Sequence, residues 1–112
     1  MNIIVVGNGK IGELLVQQLS KEGHDVVVVD SNAARIRSLE EKLDVSTVVG
    51  NGASIEILRE AGAQDCDILI AVSNSDEVNL LTALVAKKLG CEYTVARVRI
   101  VSILNYFEYN KA

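Results

Sequence analysis

Asn2-Ile-Ile-Val-Val-Gly7-Asn8-Gly9-Lys10-Ile11-Gly12 is the stretch on which the fold turns. A short β-branched run reads as a buried strand, and the glycines at its end fit G-x-G-x-x-G. Behind them Ile11, Leu14, Leu15 and Leu19 fall at helical spacing, and the segment stops at Lys21-Glu22-Gly23, a basic residue and then a C-cap glycine. In a chain with eight glycines the spacing alone carries little. Its place between a strand and a helix gives it meaning.

The same cycle repeats. Asp25 to Asp30 reads as a second strand, followed by a helix with Ile36, Leu39 and Leu43 on one face. Val45 to Gly50 is a third strand, and Ile55, Leu58 and Ala61 mark a helix that ends at Gly62. Asp67 to Val72 is a fourth, feeding a longer helix with Val78, Leu81, Leu84, Val85 and Leu89 inward and Gly90 at its end. Tyr93 to Val98 is the fifth. Strands alternating with helices across short connections require parallel pairing, right-handed crossovers and helices on both faces. The predicted fold is therefore α/β, a three-layer, Rossmann-type doubly wound parallel sheet of order 3-2-1-4-5, forming a single domain over residues 1–112. The tail, 100–112, places Ile100, Ile103, Leu104 and Phe107 on one helical face, which suits either a fifth helix closing the sheet or a self-association surface.

Composition agrees and narrows the function. Hydrophobic residues make up 49% of the chain but aromatics only 4%, so the core must be built from Val, Ile, Leu and Ala, as in buried parallel strands. A formal net charge of −4 supplies none of the positive field that nucleic acid requires. The first apolar run, Ile3 to Val6, is far too short for a signal peptide or a membrane span, so neither secretion nor direct membrane insertion is expected. Cys66 and Cys91, 25 positions apart with no CxxC and one histidine in the chain, argue for neither a metal site nor a disulfide framework; they read as reduced, partly buried thiols of a cytoplasmic protein.

The glycine motif carries the chemistry. Gly7 permits the tight turn off the strand, Gly9 lets backbone approach a pyrophosphate, and Gly12 lets the helix pack closely. The free N–H groups of the helix N-terminus then bind phosphate. Asp30 ends the second strand, where a carboxylate accepts hydrogen bonds from ribose hydroxyls and repels a 2′-phosphate, which disfavours NADP. Lys10 is either a phosphate contact or a solvated charge, and Arg35 either stacks near adenine or is exposed. Ile11 and Ser31, as neighbours within these two motifs, are counted with the binding residues. Gly50-Asn51-Gly52-Ala53 is small enough to admit an adenine edge beside Asp30. Ser73-Asn74-Ser75-Asp76-Glu77-Val78-Asn79 faces the glycine loop across the crevice. There Asn74 and Glu77 suit a capping box, while Ser73 and Asn79 equally suit the distal half of a ligand. Of Arg97 and Arg99, Arg97 is the one expected at the crevice and Arg99 reads as solvated.

No acid or base for catalysis accompanies this set. His24 lies before the second strand, at the end of the sheet opposite the crevice, and no nucleophile–base set, metal cluster or Walker loop can be assembled. A binding equilibrium that shifts a conformation or an assembly is the role expected, rather than catalysis. The cofactor-binding half of a split NAD-dependent dehydrogenase is the alternative.

Taken together, Ile3-Ile-Val-Val-Gly-Asn-Gly-Lys-Ile-Gly12, Val28-Val-Asp30-Ser-Asn, Val48-Val-Gly50-Asn-Gly-Ala, Leu58-Arg-Glu-Ala-Gly62-Ala, Ala71-Val-Ser-Asn-Ser-Asp-Glu77-Val-Asn79 and Ala96-Arg97-Val98 resemble the TrkA N-terminal (KTN or RCK) nucleotide-binding domain. The resemblance runs from residue 2 to about 99 and extends to the loops after strands three, four and five. It implies a cytoplasmic regulatory subunit of a bacterial Trk or Ktr potassium uptake system, or the like domain of a potassium channel. Such a subunit binds NAD(H) or ATP/ADP, assembles as a homodimer or larger ring, and gates a membrane potassium transporter subunit. Carried onto this sequence, Gly7, Asn8, Gly9 and Lys10 hold phosphates and Asp30 the ribose. Asn51 and Gly52 lie by the adenine, and Ser73, Asn74 and Arg97 face the remainder. The family pattern continues past Arg97 through a further strand and crossover helix to a C-terminal regulatory domain, whereas this chain stops at Ala112, so both a piece of a longer protein and a single-domain subunit fit.

Overall fold

The computed structural model describes residues 1–99, and the expected tail helix, 100–112, lies outside the described residues. In chain order the elements are β1 (Asn2–Val6), α1 (Lys10–Lys21), β2 (Asp25–Asp30), α2 (Ala33–Lys42), β3 (Ser46–Val49), α3 (Ile55–Glu60), a turn of 3-10 helix (Ala63–Asp65), β4 (Ile68–Ala71), α4 (Asp76–Leu89) and β5 (Tyr93–Ala96). All neighbouring strands run parallel, in the order β3-β2-β1-β4-β5. The doubly wound sheet expected from the sequence is thus present.

The β-branched runs are apolar throughout because both faces of the sheet are covered. Ile3 and Val5 of β1 join Val26 and Val28 of β2 beneath α1 and α2, where Val16, Ile36 and Leu39 meet them. Ile4 and Val6 turn to the other side, with Val29, Val48 and Leu69, beneath Leu58 of α3 and Ala86 of α4. Strands β3, β4 and β5 end one or two residues sooner than the hydrophobic runs. The flanking residues still make single ladder bonds, from Gly50 N–H to the Asp30 carbonyl at 3.0 Å and from Arg97 N–H to the Ala71 carbonyl at 2.9 Å, but the pairing goes no further. The 3-10 turn at Ala63–Asp65 is too short to show any periodicity in sequence.

One packing expectation fails. Leu81 and Leu84 do not face inward; they are 49% and 56% exposed. The buried stripe of α4 is instead Asp76, Asn79, Thr82 and Ala86. A helix lying close on a sheet makes contact along one narrow line, and here small and polar side chains occupy that line, leaving Val78, Val85 and Leu89 half-buried beside it and the two leucines outside. Helix α1 repeats the pattern, burying Gly12 and Val16 while Leu14 stays exposed.

Candidate functional site

Strand order reverses between β1 and β4. The chain leaves β1 toward β2 and leaves β4 toward β5, so the loops after these two adjacent strands part and open a crevice at their C-terminal ends. A cavity of about 380 Å³ occupies this place, lined among others by Gly7, Gly9, Asp30, Asn51, Ser73 and Asn74. Its size falls in the range of small-molecule sites.

The glycine loop forms one wall. Gly7 takes φ +102°, a left-handed conformation, and a Cβ there would lie 2.7 Å from the Ser73 nitrogen in the opposite wall, so neither its backbone nor its surroundings admit a side chain. At Gly12 a Cβ would fall 1.9 Å from the Gly7 carbonyl oxygen, which shows that this glycine lets the helix close on its own entry loop. Gly9 differs from both: a Cβ placed on it meets nothing within 4 Å, so the space over its peptide belongs to the cavity. Gly9 is also the N-cap of α1 and brings no side-chain acceptor, whereas Asn32, Ser54 and Ser75 each cap the helix that follows them. The N-terminus of α1 therefore keeps its N–H groups and its partial positive charge for something else.

Asp30 stands at the end of β2 and is buried. Its Oδ2 accepts the Asn8 backbone N–H at 2.6 Å, and its Oδ1 accepts the Asn32 N–H at 2.7 Å. The carboxylate therefore clamps the glycine loop to the start of α2, a role that sequence reading did not assign to it. Each oxygen keeps a second lone pair for a further donor. The Arg35 guanidinium lies 3.8 Å from Oδ2 with its side chain about half exposed, at the mouth of the cavity. Asn8 donates its Nδ2 to the Arg35 carbonyl at 3.4 Å, while its Oδ1 is a buried acceptor with no partner among the described residues.

The opposite wall is built on Asn79, which is fully buried. Its Oδ1 accepts from the Ser73 N–H at 2.9 Å and from the Ser73 hydroxyl at 2.7 Å, and its Nδ2 donates to the carbonyls of Ser73 at 3.1 Å and Arg97 at 3.0 Å. One amide thus binds the loop after β4 to the end of β5. This corrects the expectation that Asn79 contacts ligand: every polar atom of its side chain is spent within the protein. The cap of α4 is Ser75, whose hydroxyl accepts the Val78 N–H at 3.2 Å, and not Asn74.

With this geometry in place, the comparison with known sequences is direct: the TrkA-N domain model matches residues 3–112. The chain belongs to the TrkA-N domain family. It is 45% identical over 105 residues to the Trk system potassium uptake protein TrkA of Halomonas elongata, which covers 93% of this chain and 23% of that protein. The chain thus spans less than a quarter of the length of this curated relative. Among solved structures, the GsuK channel bound to NAD superposes with a TM-score of 0.75 at 22% identity, over 95% of this chain and 20% of that one. The AMP-bound Kef C-terminal domain of Shewanella denitrificans superposes with a TM-score of 0.71 at 21% identity, over 85% of this chain and 56% of that one. At these identities the two structures establish the shared fold.

Within this TrkA-N domain, the expected binding residues divide. Gly7, Gly9, Asp30, Ser31, Arg35, Asn51, Gly52, Ser73 and Asn74 line the cavity, joined by Ser75 and Val78. Asn8 and Gly12 shape the loop beneath it. Lys10 and Ile11 point out from the first turn of α1 and are exposed, and they are not among the lining residues. Ala53 is likewise outside the lining; its N–H is held by the Asn51 side chain at 2.9 Å. Gly52 is needed for packing as well, since a Cβ there would lie 2.2 Å from Val6 Cγ1. Arg97 does not line the cavity, and Arg99 is exposed, as expected, yet also bound to the protein. Its guanidinium reaches Asp76 Oδ1 at 3.5 Å and donates to the Asn74 carbonyl at 3.2 Å, while its backbone N–H donates to Asp76 Oδ2 at 3.0 Å. Asp76, buried in the first turn of α4, was missed by sequence reading. An aspartate near a helix start has an ordinary explanation in the helix dipole, and only the fold brings Arg99 to it.

Proposed function

We propose that this domain is the cytoplasmic nucleotide sensor of a potassium uptake system, binding NAD(H), or else ATP/ADP, in the crevice between β1 and β4. The observation that carries this reading is the uncapped N-terminus of α1 opening onto the cavity at Gly9. There the backbone N–H groups face the place where a pyrophosphate would lie, and no side chain intervenes. Asp30 lines the same cavity and has acceptor capacity left, which favours an unmodified 2′-hydroxyl over a 2′-phosphate. The small groove at Gly50, Asn51 and Gly52 takes the base, and Ser73, Asn74 and Ser75 meet the distal half of the ligand.

No chemical step is assigned to the bound nucleotide. Among the described residues, those lining the cavity include no histidine, cysteine, lysine or tyrosine to serve as acid or base, and the carboxylate there, Asp30, has both oxygens engaged by backbone N–H groups. A ligand that binds one arrangement of the β1 and β4 loops more tightly than another shifts the balance between them by its difference in affinity. In a larger assembly that difference is the signal passed to a membrane potassium transporter subunit. Among the described residues no helix is long and apolar enough to cross a membrane. Relatives named for potassium uptake, one of them 45% identical over 105 residues, support the assignment.

Calorimetric titration of the purified chain with NADH, NAD, ATP and ADP tests the reading. Saturable binding is expected, and the rank of affinities assigns the signal to redox state or to energy charge. Failure of all four to bind would overturn it.

A further inference from the structure

The chain has two cysteines, and the fold brings them together at the end of the sheet opposite the cavity. Cys66 precedes β4 and Cys91 precedes β5, at the same 25-residue offset that pairs Ile68 with Tyr93 across the two strands. The ladder reaches this far, since the Glu92 N–H donates to the Cys66 carbonyl at 3.2 Å. Gly90 takes φ +123°, and a Cβ on it would come within 2.9 Å of the Gln64 carbonyl oxygen. The turn that delivers Cys91 is thereby pressed against the turn that delivers Cys66. Both side chains are buried and their sulfurs stand 2.8 Å apart. Adjacent strands hold paired Cα atoms at a separation that a disulfide spans, and bonding requires the sulfurs to close by only about 0.8 Å.

Cys66 also lines a cavity of about 200 Å³ at this end of the sheet, beside Asn2, Ile4, Asp25 and Gly62. A small oxidant that entered this cavity would meet Cys66. We propose that Cys66 and Cys91 are a modification site, in which a small peroxide converts the adjacent thiols into an intramolecular disulfide that staples β4 to β5. One sulfur attacks a peroxide oxygen; the O–O bond breaks, a sulfenic acid forms and one water leaves. The other sulfur then attacks the oxidised sulfur, the S–O bond breaks, and hydroxide departs with the second thiol's proton as another water. The thiols lose two electrons and the peroxide gains them. Burial, and then the hydrogen bond with Cys91, push the Cys66 thiol up. Cys66 therefore rests protonated and reacts more slowly than an exposed thiol, while the proximity of the second sulfur traps any sulfenic acid before further oxidation. The covalent loop so closed contains β4, the Ser73–Asn79 wall and all of α4. This inference is independent of which nucleotide the crevice takes.

The test treats the fully reduced chain with hydrogen peroxide, blocks remaining thiols with iodoacetamide under denaturing conditions, and maps the tryptic peptides by mass. Cleavage after Lys88 separates the cysteines. The expected product is one cross-linked peptide pair, lighter by two hydrogens than the sum of its parts and reversed by a dithiol reductant. Oxidation should also raise the Tm by roughly 5–15 °C, because the loop is constrained in the unfolded chain. Recovery of both cysteines alkylated, of disulfides only between separate chains, or of sulfinic acid at one cysteine with the other free, would each overturn the proposal.

Discussion

Gly9→Ala separates the fold from the binding site. The backbone at Gly9 is extended, φ −79° and ψ −161°, which alanine also adopts, and the new methyl meets nothing within 4 Å. Folding stability should change by less than about 1 kcal/mol, because alanine has fewer unfolded conformations to lose but is a poorer N-cap than glycine. Binding should suffer. The methyl stands over the peptide that a pyrophosphate must approach, so one or two hydrogen bonds to charged oxygens are lengthened or lost, each contributing about 1.5–3 kcal/mol. With 1.4 kcal/mol per factor of ten, affinity should fall by roughly 10- to 100-fold for one bond lost and by up to about 10,000-fold for two. Calorimetry with the best nucleotide, beside a urea unfolding curve of the same preparation, reads both effects. Gly12→Ala is the contrasting control: its Cβ would collide with the Gly7 carbonyl, so there the fold should weaken first. A folded Gly9→Ala chain that binds nucleotide with the parent's affinity would refute the placement of phosphate over this loop.

Three other substitutions probe the cavity walls and the packing of α4. Asp30→Ala should cost about 1–3 kcal/mol of stability in urea unfolding, by stranding the buried Asn8 N–H, and should also lose the nucleotide; because both effects follow, its binding loss alone does not identify a ribose contact. Asn79→Ala removes the amide that holds Ser73 and the end of β5, and a loss of about 2–4 kcal/mol is expected in the same assay, with weakened binding because the wall moves. Thr82→Val should stabilise the fold by about 1 kcal/mol, seen as a raised Tm, because the Thr82 hydroxyl is buried with no hydrogen-bond partner among the described residues.

What the sequence disclosed, and what it withheld, follows from how far each feature reaches along the chain. The glycine loop, the strand order and Asp30 depend on neighbours in sequence: a strand, its turn, its helix and the end of the next strand. All of these were in view. The roles of Asp30 as a clamp, of Asn79 as a brace and of Arg99 as the partner of Asp76 depend on groups brought together by the sheet. Asn79 and the end of β5 are separated by the rest of α4 and by β5 itself, and an asparagine four places into a helix gives no sign of which carbonyls it will meet. The leucines of α4 misled for a different reason. Their spacing announces an apolar face, but which stripe lies on the sheet is decided by side-chain size at the contact, and Thr82 and Ala86 fit closer than Leu81 and Leu84. For Cys66 and Cys91 a signal was present and unused, since their separation equals the β4–β5 register offset.

The most direct measurement of nucleotide binding in this crevice is a proton–nitrogen NMR titration of the chain with NADH and with ADP. Amide shifts should concentrate at Gly7, Gly9, Ser31, Asn51, Ser73 and Asn74, and leave His24, Asp25 and Cys66 at the far end of the sheet in place. Shifts confined to that far end, or none with either nucleotide at saturation, would contradict the assignment of the site.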